Sequence, residues 1–400
     1  MLLAGVLAGC SRDKQGTAKP KKLLLVSFDG FRYDYLDKAA TPHFDSLAAE
    51  GVTGDGLVPV FPSKTFPNHY AIATGLYPES SGFVGNTMYD PRWEEWYRIR
   101  DREAVEDGRW YGGEPIWNTF EKQGLRTGTM FWVGSEADIQ QRHPTYWKTF
   151  NDNISSRARV DTVVKWLSYP EDRAVDFATL YFEHVDAMGH RFGTESDSLI
   201  AAIQEADQTI GYLKEQLKKK GLWQEINLLV VSDHGMIDLA RDKVIELDRI
   251  INMENAERII WGPLTMIEPL RGKKEEMYQD LKAEAEHYRV YRKEDIPERY
   301  HLKNHRRVTD LIMIADLGYT ILHSSNRQRF AKSLPRATHG YDPAEKAMQS
   351  FFIAHGPAFK KGSRVGAFQN IHLYELMNKL MGTRPAQNDG SLDSVKVLLN

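Results

Sequence analysis

One cysteine in 400 residues is the sharpest deficit of this sequence. It excludes an intrachain disulfide and a thiolate-built zinc cluster, so any metal must be held by His, Asp, Glu or a hydroxyl. The 13 histidines keep that possibility open. Charge of one sign is also lacking: Lys+Arg 52 against Asp+Glu 55 gives a formal net charge of -3. Such a balance supplies no broad basic field, and no nucleic-acid-binding surface is expected. No segment reaches the roughly 18 uninterrupted apolar residues of a membrane-spanning helix. No period of about 20 to 50 residues repeats, which excludes a solenoid. What is present, 42% hydrophobic and 27% charged residues, is an ordinary globular composition. The length suits one large α/β unit with insertions, or about two to three domain-equivalents.

The lone cysteine has an informative position. Residues Met1 to Cys10 form an apolar run ending in Leu7-Ala8-Gly9-Cys10, and the polar Ser11-Arg12-Asp13-Lys14 follows at once. This resembles a bacterial lipobox. The resemblance implies that residues 1–10 are a lipoprotein signal, that Cys10 carries lipid and tethers the protein to a membrane, and that the location is the bacterial envelope, periplasm-facing or outer membrane. No Lys or Arg precedes the run, which is shorter than a usual signal core. Residues 11–22 are polar and basic, with Gly16 and Pro20, and read as a flexible tether. One folded domain is expected over 23–400.

Within it, Leu23 to Phe28, Ala178 to Phe182, Ile226 to Val231 and Gln349 to Ala354 are short apolar runs, the pattern of strands buried on both faces. Helical patterns lie between them at Thr41–Glu50, Glu114–Gln123, Ser155–Leu167 and Ser196–Lys220. Alternation of this kind predicts an α/β fold, a mostly parallel central sheet with helices on both faces. The stretch 261–336 breaks the alternation with a charged helix, basic loops and Leu311 to Ala315, and is expected to be a small α+β insertion.

Ligands of open α/β sheets bind beyond the C-terminal ends of the strands. Asp29 follows the first strand, Asp186 and His190 follow the run ending at Phe182, and Asp233 and His234 follow the run ending at Val231. Asp186 and His190 are spaced to lie one turn apart if the segment is helical. A carboxylate and an imidazole leaving a buried strand have few reasons to be buried without a compensating cation. Thr338-His339-Gly340 adds another histidine. Two zinc-type N/O sites need three protein ligands each, and Asp29, Asp186, Asp233, His190, His234 and His339 make up that number. The segment Pro62 to Tyr70 offers hydroxyls, Thr65 among them, at the start of a helix. A metal makes such a hydroxyl nucleophilic by lowering its pKa.

At this point the sequence resembles a family. Val26 to Arg32, Phe61 to Tyr70, Gly85 to Asp90, Glu183 to His190, Ser232 to Met236 and Thr338 to Tyr341, in order and followed by Asn388 to Leu392, resemble the nucleotide pyrophosphatase/phosphodiesterases of the alkaline phosphatase superfamily. The resemblance implies an alkaline-phosphatase-like fold and two Zn2+ ions per chain. Asp186, His190 and His339 would hold one ion, and Asp29, Asp233 and His234 the other, with Thr65 reaching toward the second ion as nucleophile. Asn86 is similar to the family asparagine that donates to a phosphoryl oxygen. Phosphodiester or phosphoanhydride bonds of nucleotides would be cleaved to release nucleoside 5'-monophosphates through a phosphothreonine, hydrolysed in turn by water. Phe66 resembles the aromatic that stacks on a base, Phe150 is expected to face it, and Tyr181 to line the pocket.

Three carboxylates against two dications leave about one positive charge, suited to a phosphodiester and short of what a monoester dianion needs. Basic residues of 261–336 folding over the site would alter that count. The alternatives are the same site acting on glycerophosphodiesters, choline phosphodiesters or phosphate monoesters, and a lipid-anchored binding protein without turnover. The ligand types also suit manganese or iron. His69 and His184 lie inside the motifs yet fit no ligand role, and are expected either to support the ligands from behind or to be structural. His43, His143, His287, His301, His305, His323 and His372 are expected on the surface or in loops. No protein partner is implied.

Overall fold

The computed structural model describes residues 22–333 and 335–400. Cys10, the signal expected before it and the tether up to residue 21 lie outside the described residues.

An eight-stranded sheet organises the chain. Its strands are β1 (Lys22–Phe28), β2 (Val52–Gly54), β3 (Thr127–Met130), β4 (Tyr146–Trp147), β5 (Phe177–Phe182), β6 (Ile226–Val231), β7 (Phe352–His355) and β8 (Ser363–Val365), in the spatial order β8-β2-β7-β6-β1-β5-β3-β4. The block β6-β1-β5-β3-β4 is parallel throughout. β7 runs antiparallel to both β6 and β2, so the sheet is mostly parallel, as expected. The apolar runs become its central strands because side chains alternate between two covered faces. Leu23, Leu25, Leu229 and Val231 enter the core on one face. Leu24, Val26, Leu228 and Val230 enter the core on the other.

Helices cover both faces. α1 (Pro42–Glu50), α3 (Ser156–Leu167) and α5 (Asp197–Lys219) contribute to the second core, while α2 (Thr65–Thr74) and α6 (His372–Met381) contribute to the first. α5 shows why these helices form where they do. The Ser196 hydroxyl caps it by accepting from Leu199 N–H, Leu199, Ile203, Ala206, Ile210, Leu213 and Leu217 make its buried stripe, and Lys218 and Lys219 close the last turn. Between α3 and α5 lies α4 (His184–Phe192). No helix among the described residues is long and apolar enough to cross a membrane.

The accessory unit is a four-stranded antiparallel sheet in the order Ala256–Ile260, Leu264–Pro269, Leu311–Ala315, Tyr288–Arg292. The helix Lys274–Ala283 packs on it through Met277, Tyr278 and Leu281. This sheet starts at Ala256, ahead of residue 261. Its first strand, Ala-Glu-Arg-Ile-Ile, is a half-exposed edge with charges inside it, so it carries no apolar run.

Candidate active site

Three parallel strands deliver the chemistry at their C-terminal ends. β1 leads into Asp29, β6 into Asp233 and His234, and β5 into α4, which bears Asp186 and His190. His339 follows the short strand Ala337–Thr338. Gly30 lets these elements approach: its φ is +68°, and a Cβ there would meet Asp186 Cα and Cβ at 2.9 Å.

The six side chains converge. His190 Nε2 lies 3.4 Å and His339 Nε2 3.8 Å from Asp186 Oδ1. His234 Nε2 lies 3.0 Å from Asp233 Oδ2 and 3.6 Å from Asp29 Oδ1. Donor atoms of Asp186, His190 and His339, of Asp29, Asp186 and His234, and of Asp29, His69 and Asp233 fall within 4.8 Å of one another in each set. In the three expected ligand histidines Nδ1 hydrogen-bonds to a backbone carbonyl: His190 to Ala337 at 2.8 Å, His234 to Gly235 at 2.9 Å and His339 to Ser63 at 2.8 Å. A carbonyl only accepts, so the proton sits on Nδ1 and the Nε2 lone pair points into the cluster, the arrangement that orients a metal-binding imidazole.

The carboxylates test the fit of a cation. Asp29 Oδ1, Asp186 Oδ1 and Asp233 Oδ2 are buried without a hydrogen-bond partner. Burial, then the charges of Asp233 and Asp186, push the Asp29 carboxyl well up. Burial also raises Asp186, against the pull of His190 and His234. Burial opposes ionisation of Asp233 as well, but His234 and His69 hold it well below the usual range. Burial, with the neighbouring His234 and Lys64, lowers His339. Carboxylate oxygens and imidazole lone pairs of this kind, packed together at a largely buried site, form a donor set that fits divalent cations.

Thr65 opens α2, with its Oγ1 3.3 Å from His234 Nε2. The side-chain oxygen of the half-buried Asn86 accepts from Phe66 N–H at 3.0 Å, so the amide is fixed to the first turn of the same helix, next to Thr65. A cleft of about 320 Å³ opens beside Thr65, Asp29 and Asp186, and Phe66, Phe150 and Tyr181 all line it. Phe150 is 37% exposed and sits edge-on to Phe131 and Tyr181. Tyr181 does more than line the wall, because its hydroxyl donates to Asp29 Oδ2 at 2.6 Å.

Several cleft residues escaped the sequence reading. Phe131, Trp132, Val133, Gly134 and Glu136 follow the C-terminal end of β3 and line the wall. β3 reads Thr-Gly-Thr-Met, without an apolar run, because a Cβ at Gly128 would meet the Trp166 ring at 2.9 Å. The other wall carries Ile99, Arg100 and Arg102. Arg102 is paired with Glu106 and Glu136, whereas Arg100 has no ion-pair partner among the described residues. No residue of 261–336 lines the cleft: Arg306 and Arg307 are drawn to Asp90, and Arg289 and Arg299 to Asp342. Lys64 is the cation nearest the cluster, acting on Asp186 and His339, with its ammonium lowered to about 8 by burial.

A central mostly parallel sheet with clustered Asp and His side chains at its strand ends defines an alkaline-phosphatase-like hydrolase. The family model described as type I phosphodiesterase / nucleotide pyrophosphatase matches residues 23–342. The chain is 38% identical over 401 residues to bovine bis(5'-adenosyl)-triphosphatase ENPP4, covering 100% of this chain and 86% of that one. It is 36% identical over 402 residues to human ectonucleotide pyrophosphatase/phosphodiesterase family member 5, covering 100% and 83%. The solved murine member 5 superposes with a TM-score of 0.90 at 36% identity over 95% of this chain and 100% of that one, and an inactive variant of it has been solved in complex with AMP. The chain belongs to the type I phosphodiesterase / nucleotide pyrophosphatase family and is a hydrolase of phosphodiester bonds.

Tyr181→Phe keeps the ring and removes only the hydroxyl that orients Asp29. The expected result is a loss of about 10- to 100-fold in metal affinity or turnover, measured by chelator competition and steady-state kinetics.

Proposed function

We propose that the protein cleaves the phosphodiester or phosphoanhydride bond of nucleotides and releases nucleoside 5'-monophosphates, with two zinc ions and Thr65 as nucleophile. The observation that carries this reading is the placement of Thr65 Oγ1 3.3 Å from His234 Nε2, at the mouth of a cleft shared with Asp29, Asp186 and the aromatic side chains. Asp186, His190 and His339 would hold one ion, and Asp29, Asp233, His234 and Thr65 the other. Bound ions supply Lewis acidity, lowering the pKa of a hydroxyl and offsetting charge on phosphoryl oxygens.

The chain's own residues do the rest. Thr65 Oγ gives its proton to solvent and attacks phosphorus in line, the bond to the leaving oxygen breaks, and that oxygen departs with the electron pair. Water then attacks the phosphothreonine, releasing the monophosphate and restoring the Thr65 hydroxyl. Two such displacements retain configuration at phosphorus. Asn86, its oxygen already committed to Phe66 N–H, has its amide N–H groups free to donate to a phosphoryl oxygen. Phe66 and Phe150 grip the base between them. The AMP complex of the inactive murine relative supports a nucleotide substrate.

The three carboxylates set a count that favours diesters, and the accessory unit adds no cation to the cleft; cations beside the site include Arg100 on the cleft wall and Lys64 near Asp186. With zinc present, a nitrophenyl phosphodiester is expected to outrun the matching monoester at least a hundredfold, about 2.7 kcal/mol. Chelation and Thr65→Ala abolish both rates. A faster monoester would contradict the charge count and point to Lys64.

Arg100, the unpaired cation on the cleft wall, is suited to phosphates beyond the scissile one. Arg100→Ala is expected to raise KM for a dinucleoside polyphosphate about tenfold and to leave a nitrophenyl diester within about twofold. Equal effects on both substrates would remove that role.

The lipid tether at Cys10 is proposed from its residue pattern alone. Incorporation of labelled palmitate that disappears in Cys10→Ala is the expected outcome, and unchanged labelling would refute it.

A further inference from the structure

His69 is wholly buried and both of its ring nitrogens are engaged. Nδ1 hydrogen-bonds to the Thr65 carbonyl at 3.0 Å and stands 3.4 Å from Asp233 Oδ2. Nε2 meets Ser27 Oγ at 2.9 Å. The ring is held edge-on by Trp132 and Tyr181, at centroid distances of 5.0 and 5.1 Å. Trp132 also donates its indole N–H to the His69 carbonyl at 2.9 Å. One imidazole therefore joins the turn that carries Thr65, the strand that leads to Asp29 and the carboxylate of Asp233.

The partners decide the tautomer. The Thr65 carbonyl and the Asp233 carboxylate only accept, so Nδ1 carries the proton. Nε2 is then the acceptor for the Ser27 hydroxyl. A nitrogen committed in this way has no lone pair left for a metal, so the ring touches the cluster without joining it. Its Nδ1–H acts on the backbone of Thr65, the residue whose hydroxyl must be aimed to within a fraction of an ångström.

We propose that His69 is a positioning residue: its Nδ1–H fixes the first turn of α2, and with it the Thr65 hydroxyl, against Asp233 and the end of β1. This role rests on the reading of Thr65 as nucleophile, which Thr65→Ala tests separately. If Thr65→Ala keeps its turnover, that reading fails. If Thr65→Ala is inactive and the variants below behave like wild type, only the role of His69 fails.

The test compares two amides on the full zinc-loaded protein. The amide nitrogen of Asn falls where Nδ1 lies, and that of Gln falls nearer Nε2. His69→Gln is expected to lower kcat about a hundredfold with KM changed less than threefold, and His69→Asn to recover to within about tenfold of wild type. Both are expected to retain wild-type zinc content by elemental analysis, since His69 is not a ligand. A zinc stoichiometry reduced by one in both variants overturns the proposal in favour of His69 as a ligand. Equal losses of kcat in the two folded variants overturn it in favour of plain packing.

A readout independent of turnover covers the case in which a variant does not fold. In wild-type protein labelled with 15N-histidine, the His69 ring is expected to show a protonated Nδ1 and an unprotonated Nε2. The opposite tautomer contradicts the proposal. Ser27→Ala, which leaves the Nδ1 contact in place, is expected to cost less than His69→Gln, and a larger loss contradicts the proposal as well.

Discussion

Three carboxylates share a buried cluster with their outer oxygens unpartnered, and the rest of the site is arranged around that electrostatic strain. Buried anions at such separations are costly unless they are neutralised or given cations. Here the open oxygens receive no hydrogen bond from the protein. Three imidazoles present Nε2 rather than N–H, because backbone carbonyls hold each Nδ1. The hydroxyl of Tyr181 takes one oxygen of Asp29, and Gly30 N–H takes one oxygen of Asp233. One oxygen of each of these carboxylates is thus fixed by the protein and the other is left open. A divalent ion would satisfy what the fold leaves unsatisfied, and Thr65 Oγ1 lies 3.3 Å from His234 Nε2 in the same cluster.

The accessory unit acts on this site from a distance. Asp90 is fully buried and receives both Arg306 and Arg307. It ends the strand Thr87–Asp90, which starts beside Asn86. Arg307 also donates to the carbonyls of Gly82 and Trp110, which precede and follow that strand in the chain. Arg306 and Arg307, instead of adding charge to the cleft, are spent on Asp90. Unpairing the buried Arg307–Asp90 pair costs several kcal/mol, so the strand that follows Asn86 is held firmly.

Much of this was legible in the sequence for a simple reason. A strand covered on both faces must be an uninterrupted apolar run, so Leu23 to Phe28 and Ile226 to Val231 announced themselves, and with them Asp29, Asp233 and His234 at their ends. Asp186 and His190 were readable from their spacing, and α4 puts them on one face. β3 was not readable: Gly128 lies against Trp166 and the strand is too short and too polar to stand out. The cleft residues that follow it were lost with it. The edge strand Ala256–Ile260 was hidden by its charges. His69 lay inside a motif, but only the fold shows that it touches Ser27, Thr65 and Asp233 together, residues far apart in the chain.

The covalent step is the centre of the account. The most direct measurement is mass spectrometry of zinc-loaded protein quenched in acid while it turns over a nucleotide substrate, followed by peptide mapping. The account predicts a nucleoside phosphate adduct on Thr65, present in wild type and absent in Thr65→Ala. Steady turnover without any adduct under conditions that slow hydrolysis, or an adduct on a residue other than Thr65, would contradict it.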